Sequence, residues 1–288
     1  MQLLGLFAGI VFAAESLVIS PLPNDWQPPE PPVVRAQISF GELSSLISEA
    51  EVLGEQVEIT PTPTPVRTTR QKSYTIAVLG DSMVDTLGPE IPNLYDRLRQ
   101  LYPLTNFNIL NYGVGGTNIN YGLERVTRDY NYEGRQVPSL VSQKPEVVVI
   151  ESFGYNPFPN VTDGLTKQWL SLAAIVDALR AHLPEAKIVI AATIAPNALV
   201  FGDGALNWGP EGKQQKVTEI KSYLENAVKF AASQHLPLAD SYHASLGSDG
   251  NGKLAYINPG DHLHYSDAGR ALFAQKVAEA IVNNKLLE

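Results

Sequence analysis

Residues 74–82 read Tyr74-Thr75-Ile76-Ala77-Val78-Leu79-Gly80-Asp81-Ser82. The first six are β-branched, aromatic or small and apolar, with no charge among them, and predict a buried strand. Gly80, Asp81 and Ser82 end the run with residue types that favour a turn and a helix start. Outward from this strand, further runs predict strands at 107–110, 146–151, 187–193 and 236–239. Between and after them, helical spacing appears at 92–101, 165–183, 214–234 and 266–284. In the second of these helices Leu170, Ala173, Ala174, Val176 and Leu179 share much of one face. Strands alternating with helices predict an α/β fold: a three-layer sandwich with a five-stranded parallel, flavodoxin-like sheet flanked by helices. One domain spanning 73–288 accounts for all of it.

The composition agrees. The chain has 288 residues, 44% of them hydrophobic and 18% charged, with a mean hydropathy of -0.06, so there is ample material for a core. The net charge is -9, but before Thr64 eight acids face a single base, Arg35, and the remainder is nearly neutral. A body without a basic excess excludes a phosphate-backbone surface, and nucleic acid is not an expected partner. The chain has no cysteine, which excludes disulfides, thiolate metal sites and a cysteine nucleophile.

The amino-terminal part reads differently. Leu3 to Ala14 is an uninterrupted apolar run ending in small residues, followed by Glu15. That length fits the hydrophobic region of an export signal and falls short of the roughly 20 residues of a membrane span. A buried amino-terminal helix is the alternative. Residues 1–20 are thus expected to be a signal peptide or an anchor-like segment giving membrane association. Residues 21–72 hold the dense prolines of Pro21 to Pro32 and Thr60 to Pro65, which predict an extended proline-rich tether. Both features predict an extracytoplasmic location, secreted or membrane-tethered.

In a parallel α/β sheet the functional groups gather at the carboxyl ends of the strands. There the chain places Gly80-Asp81-Ser82, then Asn111 to Asn118 with glycines at 113, 115 and 116, then Gly154-Tyr155-Asn156, and finally Asp261-His262-Leu263-His264. One cluster offers a hydroxyl, one a glycine-lined backbone, one a side-chain amide, and one a carboxylate with an imidazole. Those are the groups needed for acyl transfer from an activated serine.

These four blocks, in this order, resemble those of the GDSL-type esterase/lipases in the SGNH hydrolase superfamily. The resemblance runs from about Tyr74 to Val282. It implies Ser82 as nucleophile, His264 as the base that takes and returns its proton, and Asp261 as the group that orients the imidazole. It also implies an oxyanion hole made of the Ser82 and Gly116 backbone N–H groups and the Asn156 amide. The sequence departs from the family where Met83 replaces the name-giving leucine and Pro157 an aspartate.

Around that site, Asp85 is expected either to contact substrate or to cap the following helix. Tyr155 would form part of an apolar rim. Trp208, in the loop after the fourth strand, would stack a sugar, wall an acyl site or pack its loop down. No cofactor and no metal are implied: His262 and His264 lack a third ligand cluster, and Asp249 to Gly252 reads as a turn. The glycines at 113, 115 and 116 do not have dinucleotide-loop spacing. The function expected is a serine-dependent ester hydrolase that removes a small, acetyl-like acyl group through an acyl-enzyme, on a small ester, a carbohydrate or a cell-envelope substrate. An O-acyltransferase using the same triad, or a non-catalytic carbohydrate- or lipid-binding module, are the alternatives.

Overall fold

A computed structural model describes residues 67–158 and 162–288. The expected signal segment and nearly all of the tether lie outside the described residues.

Strand β1 (Ser73–Gly80) leads into a single helical turn, α1 (Ser82–Asp85), and then α2 (Pro92–Leu101). The next elements are β2 (Asn106–Gly113), α3 (Ile119–Thr127) and a hairpin of β3 (Tyr130–Tyr132) and β4 (Arg135–Val137). The remainder is β5 (Val147–Glu151), α4 (Gly164–His182), β6 (Lys187–Ala192), α5 (Pro210–Ser233), β7 (Leu238–Asp240), α6 (Ser241–Ser245) and α7 (Asp267–Asn283). Five strands form one sheet in the order β2-β1-β5-β6-β7, every pair parallel. This is the flavodoxin-like arrangement, with two layers of helices around it.

Period-two alternation distributes the core. Ile76, Val78, Val147, Val149 and Val189 face α2 and α7, where they meet Leu94, Leu98, Phe273, Val277 and Ile281. Ala77, Leu79, Val148, Ile150 and Ile190 face the other way, onto Leu172, Ile175 and Leu179 of α4 and Ala227 and Phe230 of α5. Each such large side chain contributes roughly 1.5–3 kcal/mol by leaving water. A central parallel strand must be apolar on both faces, which is why the run at 74–79 has no polar alternation.

The chain winds in opposite senses from β1, to β2 on one side and β5 on the other. The loops leaving these strands therefore diverge and open a crevice above Gly80, Gly113 and Glu151. Two elements around that crevice have no clear sequence signal. Helix α3 is short and holds Gly122 and Thr127, weak helix formers; burial of Ile119, Arg125 and Val126 supports it. The β3–β4 hairpin has three residues per strand, too few for periodicity to show.

At the opposite end, the described end of the expected tether is bound to the domain. The Arg70 N–H donates to the Leu287 carbonyl at 2.9 Å and the Asn106 N–H to the Lys72 carbonyl at 2.9 Å. Among the described residues no helix is long and apolar enough to cross a membrane.

Candidate active site

Asp81 is the last residue before α1, and it is fully buried. Its Oδ1 accepts the Met83 N–H at 2.8 Å, capping the turn. Ser82 thus becomes the first helical residue and stands half-buried at the crevice. The turn is pinned from outside by Gly113 at the end of β2. A side-chain carbon at 113 would overlap the Asp85 and Val84 backbone, so only glycine lets the two segments approach this closely.

The second cluster follows directly. Gly116 adopts φ +69°, the left-handed region that costs a side chain strain. Its N–H takes part in no hydrogen bond among the described residues, and neither does the Ser82 N–H. From β5, Asn156 brings its amide across: Nδ2 donates to Asp81 Oδ2 at 2.9 Å. One amide N–H is consumed and the other remains for a ligand.

The fourth cluster is set by a turn around Asp261. Its Oδ1 accepts the N–H groups of Leu263 and His264 at 2.9 and 3.1 Å. Its Oδ2 accepts from His264 Nδ1 at 2.8 Å. Partial burial pushes the Asp261 carboxyl upward, but the hydrogen bonds from His264 and from the two amides outweigh it and hold the group below its ordinary value. Since Nδ1 is engaged, Nε2 is the nitrogen left for proton exchange.

Several groups here were not found by sequence reading. Glu151, at the tip of β5, is fully buried; the Ser152 hydroxyl donates to it at 2.5 Å and the Phe153 N–H at 2.8 Å. Burial, reinforced by the adjacent Asp81 carboxyl, holds Glu151 well above the carboxylate range. Burial also raises Asp81, but Asn156, the Met83 N–H, His264 and Arg125 all pull it back. Both carboxyls are thus held above their ordinary range, Glu151 the further of the two. Arg125 lies beneath them, donating to the Gly80 carbonyl at 2.8 Å and to the Thr117 hydroxyl at 3.1 Å. A carboxylate inside an apolar strand tip, as in Val147–Glu151, was the one available signal for this layer.

The expected substrate contacts separate. Asp85 does not cap α2, whose first residue follows Ile91 with no side-chain cap. Instead Asp85 Oδ2 accepts the Tyr132 hydroxyl at 2.6 Å. Tyr155 turns its hydroxyl to the Ile194 carbonyl at 3.2 Å. Trp208 is exposed, and its ring lies 5.9 Å from Phe201, which is itself 6.2 Å from Tyr155. His262 Nδ1 bonds the Asp203 carbonyl at 2.8 Å and so ties the loop that carries Trp208 to the Asp261 turn.

The sequence profile of the GDSL-like Lipase/Acylhydrolase family matches residues 78–272. The chain belongs to this family. Solved structures share the fold at low identity. A lipase/acylhydrolase from Enterococcus faecalis is 18% identical with a TM-score of 0.54, covering 73% of this chain and 96% of its own. A GDSL-like lipase from Bacteroides thetaiotaomicron VPI-5482 gives 14% and 0.54, with 73% and 89% covered. An acetyl xylan esterase gives 16% and 0.52, with 72% and 99% covered. No curated protein matches the sequence. As a GDSL acylhydrolase the chain is an ester hydrolase of the serine type.

Proposed function

We propose that this GDSL hydrolase removes a small, acetyl-sized acyl group from a hydroxylated alcohol through an acyl-enzyme on Ser82. The observation that carries the reading is the pairing of His264 with Asp261: Asp261 Oδ2 holds Nδ1 at 2.8 Å, which leaves Nε2 for proton exchange. The Ser82 oxygen attacks the ester carbonyl carbon while His264 Nε2 takes its proton. The oxyanion receives hydrogen bonds from the Ser82 and Gly116 N–H groups and the free N–H of Asn156. The ester C–O bond then breaks and His264 returns the proton to the departing alcohol. Water repeats the sequence on the acyl-serine, releasing the carboxylic acid. Asp261 stays ionised and balances the imidazolium.

The acetyl xylan esterase that shares this fold supports an acetyl group on a carbohydrate. Hydrolysis of p-nitrophenyl esters from acetate to octanoate tests the proposal. Wild type should favour the short esters, and Ser82→Ala should lose ~10⁴-fold or more in kcat. Equal activity in the two proteins would overturn the assignment of the nucleophile.

A further inference from the structure

A cavity of about 550 Å³ lies between the outer strand β2 and the β3–β4 hairpin, and Asp85, on the same helical turn as Ser82, lines it. Its inner end is the Asp85–Tyr132 pair, where the tyrosine hydroxyl donates to the carboxylate and accepts the Gly115 N–H at 3.3 Å. Gly115 joins this pair to the catalytic serine. A side-chain carbon built on it would lie 3.4 Å from Asp85 Oδ2 and 4.0 Å from Ser82 Cβ. Gly115 therefore stands between the Asp85 carboxylate, which lines the cavity, and Ser82.

The volume lies within the range of small-molecule sites, about 300–1,000 Å³. Tyrosine rings from 112, 130 and 132 form part of the wall, and Gln136 and Gln143 add planar amides. Its charges are one-sided. Asp85, Glu90 and Glu133 line it against Arg135 alone, and Arg135 is already paired with Glu133 at 3.3 Å.

We infer that this groove is the alcohol subsite, and that it selects an uncharged, hydroxyl-rich alcohol such as a neutral sugar over an anionic one. The inference rests on the ester hydrolase reading of Ser82 given above. The Asp85 carboxylate accepts hydroxyl hydrogens, and tyrosine rings pack on the apolar faces of a sugar. An acyl chain entering the same way would strip water from Asp85 with nothing to replace it. An alcohol carrying a carboxylate or phosphate would meet Asp85 and Glu90 with no cation left to receive it, since Arg135 is paired with Glu133.

The test compares acetyl esters that differ only in the alcohol: peracetylated methyl glucoside, peracetylated methyl glucuronide with its free carboxylate, and p-nitrophenyl acetate. Wild type should favour the glucoside over the glucuronide by about tenfold or more in kcat/KM at low salt. Asp85→Asn, and separately Glu90→Gln combined with Glu133→Gln, should shrink that ratio about threefold or more, as should 0.5 M salt, a concentration that screens surface charge. The exposed Glu90 and Glu133 lie away from the packed core, so the second variant keeps the test open if Asp85→Asn folds poorly. A ratio near one in wild type, or unmoved in both variants, overturns the inference. So does a change confined to the acetate-to-octanoate preference, which would make the groove an acyl site. Loss of the primary reading looks different: p-nitrophenyl acetate turnover would then persist in Ser82→Ala.

Discussion

Asn156 and Asp81 meet at 2.9 Å, amide to carboxylate, and this contact joins the proposed oxyanion amide to the helix that carries Ser82, the proposed nucleophile. Asp81 uses its other oxygen to cap that helix. One buried carboxylate thus sets the position of Ser82 and the orientation of Asn156 together. Asparagine at 156 needs such an anchor because its amide would otherwise rotate among several hydrogen-bonding arrangements.

Replacing the anchor should therefore act like removing the donor. Asn156→Ala is expected to lower kcat by ~10²–10³, the usual effect of losing one oxyanion donor. Asp81→Asn keeps the cap but presents a second NH₂ to the amide, and should lower kcat by about 10² with little change in KM. In the double variant the losses should fall well short of additive, because both act through one hydrogen bond. Full additivity in a kcat double-mutant cycle would show that Asp81 acts elsewhere.

Glu151 predicts a pH dependence of stability. Its folded pKa is raised above the ordinary value of 4.5, so the neutral acid is the form the fold favours. The stability this brings is complete below about pH 4.5 and is lost as pH rises through the raised value. Glu151→Gln has no proton to lose and should gain stability over wild type progressively on the alkaline side. Urea denaturation from pH 5 to 9 would measure it, and parallel curves would contradict it.

Asp261 has the opposite sign. Its folded pKa lies below 3.8, so its contribution is present above that value and disappears as pH falls through the lowered one. Asp261→Asn should flatten the acid limb of the stability profile. The same variant should lose ~10⁴-fold in kcat near neutrality, since the imidazole would lose both its orientation and its counter-charge.

The two histidines of the Asp261 turn should differ sharply. His264→Ala is expected to lose ~10⁴-fold or more in kcat. His262→Ala removes one bond to the Asp203 carbonyl and should cost about 1 kcal/mol of stability with kcat within about tenfold of wild type. Ester hydrolysis and thermal melting of the pair would separate the roles.

At the glycines, two kinds of constraint give two sizes of effect. Gly113→Ala forces a methyl group into the α1 backbone and should destabilise by about 1–3 kcal/mol, with lost activity because Ser82 moves. Gly116→Ala meets open space but at φ +69°, so only the strain of a left-handed residue applies, about 1 kcal/mol. Denaturant midpoints of the two variants would rank them.

By itself the sequence determined the sheet and its layers, because a central parallel strand leaves an uninterrupted apolar run such as Tyr74 to Leu79 and its helices leave a 3.6-residue stripe. It also determined the four clusters, since the order of strands dictates which loops share an edge. The tertiary structure alone decided what lies under and beside them. Glu151 and Arg125 look like ordinary polar residues at a strand end and on a short helix, and burial converts them into the support of the site. Asp85 sits at a position where a cap and a ligand contact are both consistent with the sequence. Its partner, Tyr132, is 47 residues away on a hairpin too short to leave a period. Local pattern records what each segment buries, whereas the groove depends on contacts between segments that no local pattern encodes.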